Sequence, residues 1–134
     1  MADLFSSEWS QAFMETWNDD EEIISSLQRA GFNSVVAFGM LDTEEPAFIM
    51  TIQDGLVSSV NSATLDDVEW DVRATKENWL SLIVEPPGLM RLGIAYTSRK
   101  LCFLKGDYVT MIQDPDLAAA FVKTFVLMEK CSDH

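Results

Sequence analysis

The chain has 134 residues, 48% of them hydrophobic, and sets 22 acidic side chains against 9 basic ones for a formal net charge of −13. That length suits a single domain, residues 1–134, able to bury a core without disulfide or metal staples, while the acidity argues against nucleic acid, whose phosphates require clustered Lys and Arg. One histidine at the very end, His134, and two distant cysteines, Cys102 and Cys131, supply neither the positioned imidazole of a triad nor a paired-thiol metal motif, and no cofactor is expected.

The N-terminal MADLFSSEW lacks the basic and apolar regions of a secretory signal, and no apolar run approaches the ~18 residues of a membrane span, so a cytoplasmic protein is the expectation. Ser6 or Ser7 caps a helix over about residues 7–17, with Glu8 where the helix dipole favours an acid and Trp9, Ala12, Phe13 and Trp17 on one face as core anchors. Asp19 followed by Glu22 reads as a capping box before Ile23, Ile24, Leu27 and Ala30, and Gly31 is the stop. From Phe32 to Leu41 both alternations are apolar, the pattern of a central strand. After the polar turn Asp42 to Pro46, strands over residues 47–53 and 56–62 meet at Asp54-Gly55, a tight-hairpin signal. The expectation is three consecutive antiparallel strands. Val68 to Val72 alternates apolar and acidic, a fourth strand whose wet face carries Glu69 and Asp71. Together with Asp66 and Asp67 these acids lack the glycine and terminal glutamate of a calcium loop, and a solvated face accounts for them.

Thr75 caps a helix bearing Trp79, Leu80, Leu82 and Ile83, ended by Pro86-Pro87-Gly88. A further helix from Leu89 to about Ser98 has one stripe of Leu89, Leu92 and Tyr96 and another of Met90, Gly93 and Ile94, which suits a lid over a sheet. Leu101 to Leu104 is a fifth strand; Lys105-Gly106-Asp107 is a turn whose aspartate can cap a helix beginning at Tyr108, and Asp114-Pro115-Asp116 kinks or restarts the final helix. In that helix Leu117, Phe121, Val122, Phe125 and Met128 form one stripe, but Ala118, Ala119, Ala120, Val126 and Leu127 widen it beyond a single face. The surplus reads either as a helix buried on more than one side or as the wall of an internal apolar pocket.

Charge is uneven along the chain. The first 72 residues hold fifteen acids and one base, Arg29, whereas the remaining 62 hold seven acids and eight bases. Between Pro86 and Gly106 there is no acid and four cations, Arg91, Arg99, Lys100 and Lys105. They are either solvated side chains or a local patch for a lipid head group or an anionic surface, including transient membrane contact.

The Asp-Gly hairpin, the extended V-x-W-x-V segment, the threonine-capped TKENWLSLI and above all RKLCFLKGDYVTMI resemble the sterol carrier protein type-two lipid-transfer domain. The family's G-K-L-x-[apolar]-x-G-D segment is read at Lys100, Leu101, Phe103, Gly106 and Asp107, with one residue more between Phe103 and Gly106 than that pattern has, and the likeness spans roughly Glu21 to Met128. The chain departs from the family by carrying Arg99 where glycine is usual and by its acidic N-terminal half. The resemblance implies an α+β fold, a five-stranded antiparallel sheet with helices packed on one face, enclosing an apolar tunnel that holds a fatty acid, acyl derivative or sterol without enzymatic chemistry. Pocket lining is expected from Phe38, Met40, Phe48, Met50, Trp79, Ile83, Met90, Ile94, Phe121, Phe125 and Met128, the methionines being suited to adaptable apolar sites. Each ligand methylene buried contributes about 0.8 kcal/mol, so ten give roughly 8 kcal/mol before association costs, and selectivity between chains is weak. Two other readings stay open: a homodimeric interaction module using the surplus apolar face, and a small enzyme with a carboxylate such as Glu85 or Asp107 facing the pocket.

Overall fold

The computed structural model describes residues 3–132, and His134 lies outside them. Local chemistry sets most element ends. The Ser6 hydroxyl accepts from the Trp9 N–H at the start of α1 (Ser7–Asn18). The cap of α2 (Glu21–Ala30) is Asp20 rather than Asp19: its carboxylate accepts from Ile23 N–H at 2.9 Å, and Gly31 ends the helix in the left-handed region. Thr75 caps α3 (Lys76–Val84), and α4 (Leu89–Thr97) comes after the proline turn. Asp107 caps the short α5 (Tyr108–Met111), and Asp114 accepts from two amides at the head of α6 (Pro115–Cys131). Proline as the first residue of α6 forfeits no helical hydrogen bond there, so Asp114-Pro115 restarts the helix.

Strands β1 (Ser34–Met40), β2 (Phe48–Gln53), β3 (Leu56–Val60), β4 (Trp70–Ala74) and β5 (Cys102–Lys105) form one sheet in the order β3-β2-β1-β4-β5. The expected antiparallel sheet is instead mixed, because β4 runs parallel to β1. Consecutive strands paired by hairpins are antiparallel by construction, as β1, β2 and β3 are. The chain then leaves the far edge at β3 and returns through residues 61–69, including a 3-10 turn at Leu65–Asp67, to re-enter beside β1 in the same direction. No local signal records that return.

The core lies between one sheet face and the helices. Val36 and Phe38 of β1, Phe48, Met50 and Ile52 of β2, and Val72 and Ala74 of β4 point into it. Edge strand β3 is held under α1: Asn18 both accepts from and donates to the backbone of Val57, and the Trp17 indole donates to the Gly55 carbonyl. Gly55, at φ +83, tolerates no side chain, since a Cβ there would collide with the Ile24 carbonyl oxygen.

The opposite face has its own buried centre. Asp71, expected to be wet, is only 7% exposed, and Arg73, one residue beyond the expected strand end, is 1% exposed. Arg73 Nε and Nη2 donate to the two Asp71 carboxylate oxygens at 2.7 and 3.2 Å. Nη1 donates to the carbonyls of Met40 and Thr43, and Nη2 also to that of Glu44. All five guanidinium donors are thereby used, and the loop between β1 and β2 is folded down over the sheet. Ala37 and Gly39, the partners of Asp71 and Arg73 across β1 and β4, leave room for it. A Cβ on Gly39 would come within 2.9 Å of Pro46 and Ala47 backbone atoms.

Two outcomes are expected from this geometry. Arg73→Met strands a buried carboxylate and three carbonyls, and lowers the unfolding free energy in chemical denaturation by about 3–5 kcal/mol. Arg99 sits at φ +65 behind α4, the conformation glycine adopts freely, so Arg99→Gly raises stability by about 0.5–1 kcal/mol in the same assay.

Candidate functional site

The space between sheet and helices divides in two. Under α1 and α3 it is filled by aromatic rings. Phe38 and Phe48 are paired across β1 and β2 and stack at 5.3 Å, Phe13 and Trp9 pack over them, and Trp79 stacks on Phe125 of α6. Phe5 closes the cluster, with its ring 5.1 to 5.3 Å from those of Trp9, Phe48 and Trp79. It does so from a backbone at φ +64, outside any helix or strand, and no periodicity in the sequence marks it. The Trp79 indole donates to the Gly39 carbonyl at 2.8 Å, so its polar edge is satisfied within the packed core.

Towards β5 the packing loosens, and a cavity of about 60 Å³ remains. Its floor is the sheet: Val36, Phe38, Met50, Ile52, Trp70, Val72 and Phe103. Its roof is α6, through Leu117, Ala120, Phe121 and Thr124, with Trp17, Leu27 and Phe32 at one side and Met111 of α5 closing the rim. The only hydroxyl in this lining, that of Thr124, is turned back onto the Ala120 carbonyl at 2.9 Å, which leaves the cavity surface apolar. Leu117, Phe121 and Phe103 are half-buried, whereas Phe38, Met50 and Phe125 are fully enclosed.

Of the eleven residues expected to line a pocket, Phe38, Met50 and Phe121 border this cavity. Phe48, Trp79, Ile83, Phe125 and Met128 are buried in the solid core, and Met40 packs half-buried against it. Met90 and Ile94 are 82% and 58% exposed. Their stripe is the outward one on α4, and it is Leu92 and Ala95 that face the core. In place of the expected tunnel the described residues enclose only this small apolar space. A benzene-sized guest needs about 150 Å³ and a drug-sized ligand about 300–1,000 Å³, so any lipid must displace side chains or part of α6. The lining the sequence left unmarked, Trp17, Trp70 and Phe103 among it, comes from positions whose convergence is set by strand order.

Much of the surplus apolar surface of α6 packs against α1, α2, α3 and α4, but Ala119 stays exposed and Val122 and Val126 half-buried, lining with Ala118, Ile112 and Leu89 a groove of about 640 Å³ on the outer side of the helix. Ion pairs tie its flank to α2, with Lys123 against Asp20 and Glu22 and Arg29 against Asp116. Hydrogen bonding to Glu22 holds the Lys123 ammonium above its usual range despite partial desolvation. The two carboxylates considered for chemistry are exposed and off the cavity. Asp107 is held below the usual carboxylate range by the Thr110 hydroxyl and amide at its helix cap, and Glu85 faces Arg91 at 3.9 Å. Tyr108, stacked on Tyr96 at 4.2 Å and packed beside Phe103 and Phe121, carries the one buried side-chain polar atom without a partner among the described residues. Burial, then the neighbouring Tyr96, raises its phenol pKa. No described helix is long and apolar enough to cross a membrane.

This combination, a single sheet with all its apolar cover on one face and a cavity under the last helix, defines a class of α+β fold built around helix-roofed apolar space. The fold is that of sterol carrier protein 2. A crystal structure of sterol carrier protein 2 superposes with a TM-score of 0.74 at 12% identity, over 96% of this chain and 98% of that one. A solution structure of a conserved hypothetical protein from Thermus thermophilus, named as a candidate sterol carrier protein, gives 0.68 at 14% identity, over 98% and 92%. No family profile and no curated protein matches the sequence.

The cysteines are both free. Burial pushes the Cys131 thiol up to about 12 from 9.0, and its proton is donated to the Met128 carbonyl at 3.4 Å. Alkylation with peptide mass analysis at pH 8 is therefore expected to modify Cys131 in the native protein ~100-fold or more slowly than in denaturant. Below pH 9 the thiol is neutral in both states. Between pH 9 and about 12 only the unfolded chain releases its proton, so this group's support for the native state declines as pH rises through that window.

Proposed function

We propose that this protein binds and carries an apolar lipid, a fatty acid, acyl derivative or sterol, in the space roofed by α6, with no chemical step. The observation that carries the reading is the apolar cavity lined by Phe38, Met50, Phe121 and their neighbours, placed within a fold shared with a sterol carrier protein. Loading enlarges this cavity rather than filling a ready tunnel. The walls that yield are those with the least packing to lose: the four-residue edge strand β5, the four-residue α5 and the half-buried start of α6. Such short elements, with few buried contacts, open at low free energy. The unpartnered Tyr108 hydroxyl lies next to these walls and gives a ligand's carboxyl or hydroxyl a partner once they part. Affinity is what remains of the desolvation gain after the cost of opening, which favours long chains over short ones.

Native mass spectrometry of protein purified from cells is expected to show a co-purified lipid, and fatty acids or sterols to displace an apolar dye. Ala120 faces the cavity, so Ala120→Leu fills it from the roof. That variant should keep its circular dichroism spectrum and bind the dye at least ~10-fold more weakly. Repeated preparations that carry nothing, together with a lipid panel that displaces no dye, would sink the carrier reading.

A further inference from the structure

We infer that the outward face of the α3–α4 corner is a docking surface for an anionic phospholipid membrane. This goes beyond the carrier reading, because the surface lies outside the cavity and stands whether or not the cavity is ever loaded.

Four large apolar side chains project there into solvent. Met90 and Ile94 lie one turn apart on the outer side of α4, 82% and 58% exposed, and Val84 and Leu89, at 69% and 46%, flank the Pro86-Pro87-Gly88 turn. The core side of the same helix is already satisfied by Leu92 and Ala95. Apolar residues on both sides of a short surface helix therefore need a second apolar phase. A protein partner is the weaker candidate. A stable interface buries about 1,200–2,000 Å², and four side chains at this corner offer a fraction of that, whereas a bilayer immerses each of them completely.

Charge selects the surface. The protein is strongly acidic, yet from Asn78 to Gly106 the only carboxylate is Glu85. Arg91, whose one acidic contact is that exposed Glu85 at 3.9 Å, and Lys100 line a groove with Asn78, Ser81 and Ile94, a recess of about 140 Å³. Two cations and two neutral polar side chains beside an exposed isoleucine match a lipid phosphate lying above its own acyl chains. Arg99 adds a third exposed cation next to Lys100. Lys105 belongs elsewhere: its ammonium is engaged by the Leu65 and Val68 carbonyls. With a Debye length of ~8 Å at physiological salt, the local cations act on a surface in contact while most distant carboxylates are screened, so approach by this corner is the orientation that repulsion leaves open. Self-association through the same corner would set Arg91, Arg99 and Lys100 against their own copies across a two-fold axis, which charge opposes.

The test is flotation of the intact protein with phosphatidylcholine vesicles with and without phosphatidylserine. Binding is expected to the phosphatidylserine vesicles and to fall as salt is raised. Arg91→Gln with Lys100→Gln should weaken it roughly 30-fold, from about 1 kcal/mol per cation at such a surface, and Met90→Asp with Ile94→Asp should abolish it. All four positions are at the surface, and circular dichroism should confirm an unchanged fold. A Met90→Trp variant bound to vesicles with brominated acyl chains should be quenched beyond the wild-type protein. Absence of binding to phosphatidylserine vesicles at low salt overturns the inference. So does binding that both pairs of substitutions leave intact, quenching no greater than wild type, or capture of an acidic polypeptide through this corner without vesicle binding. Loss of vesicle binding leaves dye displacement in the cavity untouched, and the reverse also holds, so the two readings fail separately.

Discussion

The arrangement depends on how the two parallel central strands are allowed to lie side by side. β1 and β4 meet with Ala37 opposite Asp71 and Gly39 opposite Arg73 on the face away from the helices. Two minimal residues make room for a buried ion pair, and the guanidinium uses its remaining donors on three carbonyls of the loop between β1 and β2. Burying one charge alone would be prohibitive; burying it with every donor matched is tolerable and highly directional. Because side chains alternate along a strand, placing Asp71 and Arg73 on that face turns Trp70, Val72 and Ala74 towards the helices. The apolar floor of the candidate site is thus tied to a polar cluster on the reverse side of the same strand.

On the helix side, the contrast between the two halves of the interior bears on function. The half beneath α1 and α3 is aromatic, interlocked and anchored by indole hydrogen bonds. The half beneath α6 is bounded by short elements and half-exposed rings, and it is there that the void remains. A solid hydrophobic core resists local expansion because each displaced ring forfeits many contacts at once. The opening proposed for a ligand is accordingly at the β5 and α5 end, with the aromatic half left as scaffold.

The surface shows the same division of labour. Acidic residues dominate the first half of the chain, and the cations that occur there or in the sheet, Arg29, Arg73 and Lys105, are committed to partners within the chain, as Lys123 of α6 is. Arg91, Arg99 and Lys100 are instead gathered around α4, together with the most exposed apolar side chains. A strongly negative net charge opposes approach to other acidic surfaces, and the docking surface proposed above is the corner where that opposition is weakest.

The sequence by itself determined those features that a few neighbouring residues decide. Helix starts at Ser6 or Ser7, Thr75 and Asp107, the break at Asp114-Pro115, the helix stop at Gly31, the Asp-Gly hairpin and the α+β alternation are local hydrogen-bond and backbone preferences, legible without any fold. The pocket was legible only in outline. An excess of apolar residues on α6 was evident, and Phe38, Met50 and Phe121 border the cavity, but periodicity does not say whether such residues pack solidly or leave a gap. Tertiary structure alone decided that β4 joins β1 in parallel, that Asp71 is dry because Arg73 lies beside it, that Phe5 fills the aromatic core, and that Met90 and Ile94 face outwards. Each of these rests on contacts between segments far apart in the chain, whose free energy comes from desolvation and fit after the strands are ordered, and no window of neighbouring residues carries that information.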